Sequence, residues 1–197
     1  MAANPVTKLT EQQYLEIERA AEFKSEFLDG EMIAMSGASM RHAIISGDIF
    51  AELRSILRGG DCMPINSDLR VRISARMYTY PDVSVVCGKP ALADENQDVL
   101  LNPIVIFEVL SPSTEKYDRG VKFQHYRTLE SLREYILVSQ DSVRVEQYVR
   151  QDAATWTLRD YQSLDEELKM DSIGVSLPLH RVYDRVELEP LSGATHL

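Results

Sequence analysis

The sequence predicts an α/β fold, a mixed sheet packed between helices. Three observations predict it: a helix-period apolar stripe over residues 41–58, a run at 103–110 that is apolar on both strand faces, and a second helical stretch, 114–129, leading into the apolar run 134–139. With strands near 66–73 and 80–87, the core order is α-β-β-β-α-β. An N-terminal helix and hairpin precede it, and extra strands follow.

Each element has its own signal. TEQQYLEIERAAE (residues 10–22) starts with Thr10 as a helix cap and carries Tyr14, Ile17 and Ala21 at helical spacing. In FKSEFLDGEMIAM the Asp29-Gly30 dipeptide between two short runs marks a hairpin. HAIISGDIFAELRSIL places Ile45, Ile49, Leu53 and Ile56 on one stripe, widened by Ile44, Phe50 and Leu57 and ended by Gly59-Gly60. SDLRVRIS alternates Leu69, Val71 and Ile73 with Asp68, Arg70 and Arg72, as a strand with one wet face does. YPDVSVVCG opens with a proline at a strand edge. PIVIFEVL reads as a strand covered on both faces. After Pro112, Ser113 or Thr114 caps the next helix. EYILVS and SVRVEQYV then flank Gln140-Asp141, TWTLRDY adds a strand, and a short strand at 173–177 and a helical turn at 182–186 close the pattern. No repeat or long linker divides the chain, so residues 1–189 form one domain, with 190–197 as a frayed tail.

The chain has 197 residues, 21 Lys and Arg against 31 Asp and Glu, and a formal charge of −10. Its 44% hydrophobic content is ordinary for a globular domain of this length and excludes disorder over most of the chain. An acidic chain has no general affinity for nucleic acid, so a polyanion must be gripped at a local patch containing a metal or clustered arginines. Cys62 and Cys87 have no CxxC spacing and no histidine beside them, which argues against zinc and for a reduced compartment. No stretch approaches the roughly 18 apolar residues of a membrane span and no secretory apolar block opens the sequence, so the expected location is cytoplasmic. The nine glycines form neither a Walker A nor a dinucleotide pattern, and Ser111, Ser113 and Thr114 lack a nucleophile elbow.

Glu108 is the most informative residue. An ionised carboxylate in the middle of IVIFEVL costs several kcal/mol unless it is paired, protonated or bound to a cation. Strand parity sets Glu108 with Ile104, Ile106 and Leu110 and opposite Val105, Phe107 and Val109. The neighbouring strand offers Asp82, and two carboxylates on adjacent strands can share a hard cation such as Mg²⁺. The alternatives are a salt bridge from Glu108 to Arg70 or Arg72, and a turn role for Asp82 after Pro81.

FKSEFLDGEMIAMSGAS followed by His42, then SDLRVRI, YPDVSVV, NPIVIFEVLSPST, and Tyr117-Asp118 with Lys122 and Tyr126 together make the chain resemble, from about residue 14 to 150, the Uma-type restriction-endonuclease family. This family is a branch of the PD-(D/E)XK nuclease superfamily. The resemblance implies a restriction-endonuclease-like core and a Mg²⁺- or Mn²⁺-dependent phosphodiesterase site acting on DNA. It assigns Asp82 to the aspartate of PD and Glu108 to the acid of the second motif, with the Val109 carbonyl completing the metal ligands. The motif lysine, two residues after the acid, is replaced here by Leu110. Lys122 on the following helix is the substitute that the family pattern offers, the catalytic set then being Asp82, Glu108 and Lys122. Otherwise Asp118 and Lys122 form a surface i,i+4 pair.

Secondary expectations attach to four more residues. Glu26 matches an acidic family position and is otherwise a solvated hairpin charge. His42 faces the buried side of its helix, as a phosphate contact, a base near neutral pH or a structural histidine. Arg70 and Arg72 serve as phosphate clamps or edge-strand guards. A DNA-cutting enzyme of this kind is expected as a homodimer. Two rival functions are a catalytically degenerate nuclease-fold binding or regulatory protein, and a metallohydrolase of small phosphate esters.

Overall fold

The computed structural model describes residues 8–188. Helix α1 (Glu11–Ala20) begins at a reciprocal cap, in which the Thr10 hydroxyl accepts from the Gln13 N–H and the Gln13 side chain accepts from the Thr10 N–H. Tyr14 is buried against Phe27, their rings stacked at 4.7 Å, whereas Ile17 of the same stripe is 45% exposed. Strands β1 (Ser25–Leu28) and β2 (Glu31–Ala34) form the expected hairpin. Asp29 and Gly30 both take positive φ, 51° and 91°, as a tight two-residue turn requires, and a Cβ on Gly30 would lie 2.6 Å from that of Lys8.

Helix α2 (Met40–Ile56) is capped by Ser39 and buries Ile45, Ile49 and Leu53 completely, while Ile56 at its end stays exposed. Next come β3 (Cys62–Asn66), β4 (Arg70–Ser74), β5 (Met77–Thr79), β6 (Val83–Cys87), β7 (Val99–Leu100) and β8 (Val105–Leu110). The following helical stretch runs as α3 (Glu115–Tyr117), a π-helical turn (Asp118–Lys122) and α4 (Phe123–Tyr126). It leads into β9 (Glu134–Ser139), β10 (Val145–Arg150) and β11 (Trp156–Tyr161), then the hairpin of β12 (Glu167–Met170) and β13 (Val175–Pro178), and a last turn α5 (Leu179–Val182). That turn sits ahead of the expected 182–186. The expected tail lies outside the described residues.

The chain is a mixed α/β fold with helices flanking mixed sheets. A six-stranded sheet has the order β11-β10-β9-β8-β6-β3, with β8 and β9 parallel through the intervening helix and the other pairs antiparallel. A five-stranded sheet has the order β2-β1-β5-β4-β7. On one face of β8, Val105, Phe107 and Val109 pack against Ile45, Ile49 and Leu53 of α2. On the other, Ile106 and Leu110 meet Tyr126, Leu129 and Tyr135. Glu108 falls on this second face by parity.

Two expectations need correction. The strand expected at 66–73 is observed as β4, in the small sheet, and β3 before it is a strand the sequence reading did not include, at the edge of the large sheet. Pro64 in β3 lacks a donor and hides the strand from a sequence reading, yet an edge position tolerates it. The cysteines are not free thiols either. Cys62 and Cys87 stand directly opposite in the antiparallel register of β3 and β6 and are joined in a disulfide. Strand pairing supplies the proximity that their sequence separation conceals. Among the described residues no helix is long and apolar enough to cross a membrane.

Candidate active site

The two sheets meet where β5 runs into β6. Tyr80, Pro81 and Asp82 are the only residues between them. The antiparallel register of β6 and β8 pairs Val83 with Phe107, so one step further Asp82 faces Glu108. Asp82 is fixed there by the Val109 N–H, which donates to its Oδ2 at 2.7 Å. His42, in the first turn of α2, brings Nε2 to 3.3 Å from the same oxygen.

Glu108 is 4% exposed and Lys122 5%. The Lys122 Nζ lies 2.8 Å from Glu108 Oε1, 3.0 Å from Glu26 Oε1 and 3.5 Å from Asp118 Oδ1. The Tyr126 hydroxyl donates to Glu108 Oε1 at 3.0 Å and pairs with the Thr79 hydroxyl at 2.8 Å. Glu26 also accepts from the Tyr80 N–H at 3.3 Å. The π-helical turn contributes Asp118 and Lys122 to one face, and its Asp118 carbonyl accepts from the Tyr135 hydroxyl at 3.1 Å. Residues from β1, the β5–β6 connection, β8, the π-turn, α4 and α2 therefore converge on one point.

Charge in this cluster is unbalanced. Four carboxylates, of Glu26, Asp82, Glu108 and Asp118, face one ammonium and one imidazole. Burial raises the Glu108 carboxyl well above the usual carboxylate range; Lys122 opposes this, and Asp118, Asp82 and Glu26 reinforce it. Burial disfavours the charged form of Lys122, but Glu108, Glu26 and Asp118 outweigh burial and hold it protonated. Burial likewise raises Asp118. This oxygen-rich, acid-excess set has the chemistry of a hard-cation site: Mg²⁺ is typically held by one or two carboxylates together with substrate phosphates. Asp82 and Glu108 are the two carboxylates of the cluster that a proposed cation would use. Among the described residues, no group of three or more His, Cys, Asp and Glu side chains is placed to hold an ion by itself. Two buried polar atoms at the site's margin, His42 Nδ1 and the Tyr117 hydroxyl, have no partner among the described residues.

Burial works against protonation of His42, but the hydrogen bond and charge of Asp82, helped by Asp118 and Val109, leave its pKa above the ordinary 6.5. A pKa raised by folding contributes stability that is fully present below the unfolded value and lost as pH rises through the folded one. Wild type should therefore melt above His42→Gln at about pH 5.5, and the gap should close by about pH 8.5. Parallel melting curves at both pH values would show that the imidazole does not feel Asp82.

Of the residues singled out in the sequence, Asp82, Glu108, Lys122, Glu26 and His42 come together, and the Val109 backbone lies among them. Arg70 and Arg72 do not. Arg70 is buried and paired with Asp98, 5.9 Å from the Tyr80 ring, and Arg72 is paired with Glu11 at 2.9 Å. The salt bridge of Glu108 is thus to a lysine and not to either arginine. Asp118, Tyr126 and Thr79 were not expected in the cluster. The spacing of Asp118, Lys122 and Tyr126, each four residues after the last, places all three on one helical face and was the available signal.

The site sits on a mixed α/β fold of sheets flanked by helices. A crystal structure described as a putative nuclease belonging to DUF820, from Anabaena variabilis ATCC 29413, shares this fold at a TM-score of 0.73, covering 89% of this chain and 97% of that one at 19% identity. The chain belongs to the Uma2 family, "Putative restriction endonuclease", whose model matches residues 11–180. It is also similar to two proteins of Synechocystis sp. (strain ATCC 27184 / PCC 6803 / Kazusa). Uncharacterized protein slr1290 is 40% identical over 91% of this chain and 93% of its own length, and uncharacterized protein sll1609 is 35% identical over 82% and 92%.

Proposed function

We propose that this protein is a metal-dependent endonuclease that hydrolyses DNA phosphodiester bonds. One observation carries the reading: the Val109 N–H, next to Glu108 on β8, holds the Asp82 carboxylate at 2.7 Å, and the Lys122 ammonium stands 2.8 Å from Glu108. Asp82 and Glu108, with the Val109 carbonyl, would hold Mg²⁺ or Mn²⁺. Such an ion, when bound, polarises a phosphodiester and lowers the pKa of a coordinated water. The protein's own groups do the rest. Tyr126 and the Val109 N–H fix the two carboxylates, Lys122 orients the attacking water or stabilises charge developing on phosphorus, and Glu26 keeps Lys122 in place. His42 contacts phosphate or takes a proton near neutral pH. Single-domain organisation over 1–189, a homodimer and a cytoplasmic location remain part of the proposal.

A catalytically silent binding module is the rival, and it draws on Leu110, which is packed in the core where the motif lysine belongs. Lys122 answers it by reaching the same carboxylate from the helix. Purified protein is expected to nick supercoiled plasmid in Mg²⁺ or Mn²⁺ and to stop when the cation is chelated. Cation binding with no cleavage of any DNA form would favour the silent module.

A further inference from the structure

An ammonium group has three N–H donors and no acceptor. The Lys122 ammonium stands within ion-pair distance of three carboxylates: Glu108 from β8, Glu26 from β1 and Asp118 from the π-turn, at 2.8, 3.0 and 3.5 Å. The side chain is also almost wholly buried, so solvent offers no further partner. The shortest of the three contacts is to Glu108, the same residue that the proposed function assigns to the cation.

We infer that Lys122 and a divalent cation compete for Glu108, so that Lys122 acts on substrate only after a cation has displaced it. This rests on the nuclease reading and adds a sequence of events to it. In the metal-free protein Lys122 is the resident countercharge of the carboxylate cluster. A cation arriving between Asp82 and Glu108 meets that positive charge, and the ammonium must give up its 2.8 Å contact. Glu26 and Asp118 keep hold of the displaced group, so it turns one freed N–H towards the place where a scissile phosphate lies and does not swing away into solvent. The lysine thus reports metal occupancy to the catalytic step. Without a cation it stays paired with Glu108 and is silent.

The consequence separates binding from catalysis. Removing any nearby ammonium tightens cation binding through charge alone; a competing lysine leaves the site with tighter cation binding and less cleavage even when the net charge of the cluster is kept. The test is Mn²⁺ binding by calorimetry to the full chain and to Lys122→Met, in the absence of DNA. The expected result is a Kd lowered on the order of tenfold to a hundredfold. Lys122→Met leaves buried carboxylates without a countercharge, so the comparison is repeated as Lys122→Met with Glu26→Gln against wild type, where the lost charges balance and the same tightening is expected. Unchanged or weaker Mn²⁺ binding in the charge-balanced comparison overturns the inference. Cleavage by wild type with no tightening removes only the competition; tightening with no cleavage by wild type removes only the nuclease reading. Absence of Mn²⁺ binding in every variant removes both.

Discussion

Replacing Asp82 by Asn is expected to abolish cation-dependent cleavage, a loss of about a thousandfold or more, while leaving the fold intact. The two expectations come from different oxygens and different energies. The Asn carbonyl still accepts from the Val109 N–H, so the contact that anchors this residue to β8 survives. The substitution also removes a negative charge that raises Glu108, which relieves repulsion inside a buried carboxylate group. What it removes is one of the two anionic groups proposed to hold the cation. Melting temperatures of the two proteins should agree closely or favour the variant at pH 8, where His42 gains least from Asp82. Cleavage at the wild-type rate in a preparation free of contaminating nuclease would remove Asp82 from the site.

One residue away along the same sheet the expected outcome is the reverse. Phe107 pairs with Val83 in β6, is fully buried, and packs on the face of β8 covered by α2. Truncating it to Ala leaves a cavity among Ile45, Ile49 and Leu53 and should cost about 3–5 kcal/mol. Chemical denaturation checks this directly. A midpoint shift worth less than about 1 kcal/mol would mean that the helix does not pack on β8 as described. Asp82→Asn and Phe107→Ala together probe the two roles of one strand pair, chemistry at its end and cohesion through its middle.

How much of this was legible in the sequence follows from what each signal encodes. The uniformly apolar run around Glu108 revealed both a doubly covered strand and an anomalous charge, because solvent exposure and ion burial leave opposite marks on composition. The stripe Ile45, Ile49, Leu53 and the Asp29-Gly30 turn were equally plain, since they depend on neighbours a few residues apart. Which sheet a strand joins is a long-range matter. Arg70 and Arg72 looked like a polar strand face, but Arg70 is buried beside Val71: the partners of β4 are β5 and β7, and Asp98 arrives from a distant loop to pair with Arg70. Nothing in SDLRVRIS encodes that loop. Asp118 was legible as a helix neighbour of Lys122 but not as a buried one, because groups that act on it, Glu26 and Asp82, come from elements distant in the sequence. The disulfide was invisible for the same reason.

The three-residue connection at Tyr80, Pro81 and Asp82 carries the backbone from the small sheet directly into the large one, and the proline ring fixes its φ. Chain length at this elbow has no slack. A single inserted residue would reverse the side-chain phase of β6 or shear one layer past the other, and Asp82 would move whichever occurred. The segment therefore behaves as a mechanical gauge that spaces the layers and the carboxylate together, while the exposed 151–155 turn is free to vary in length at no cost to either.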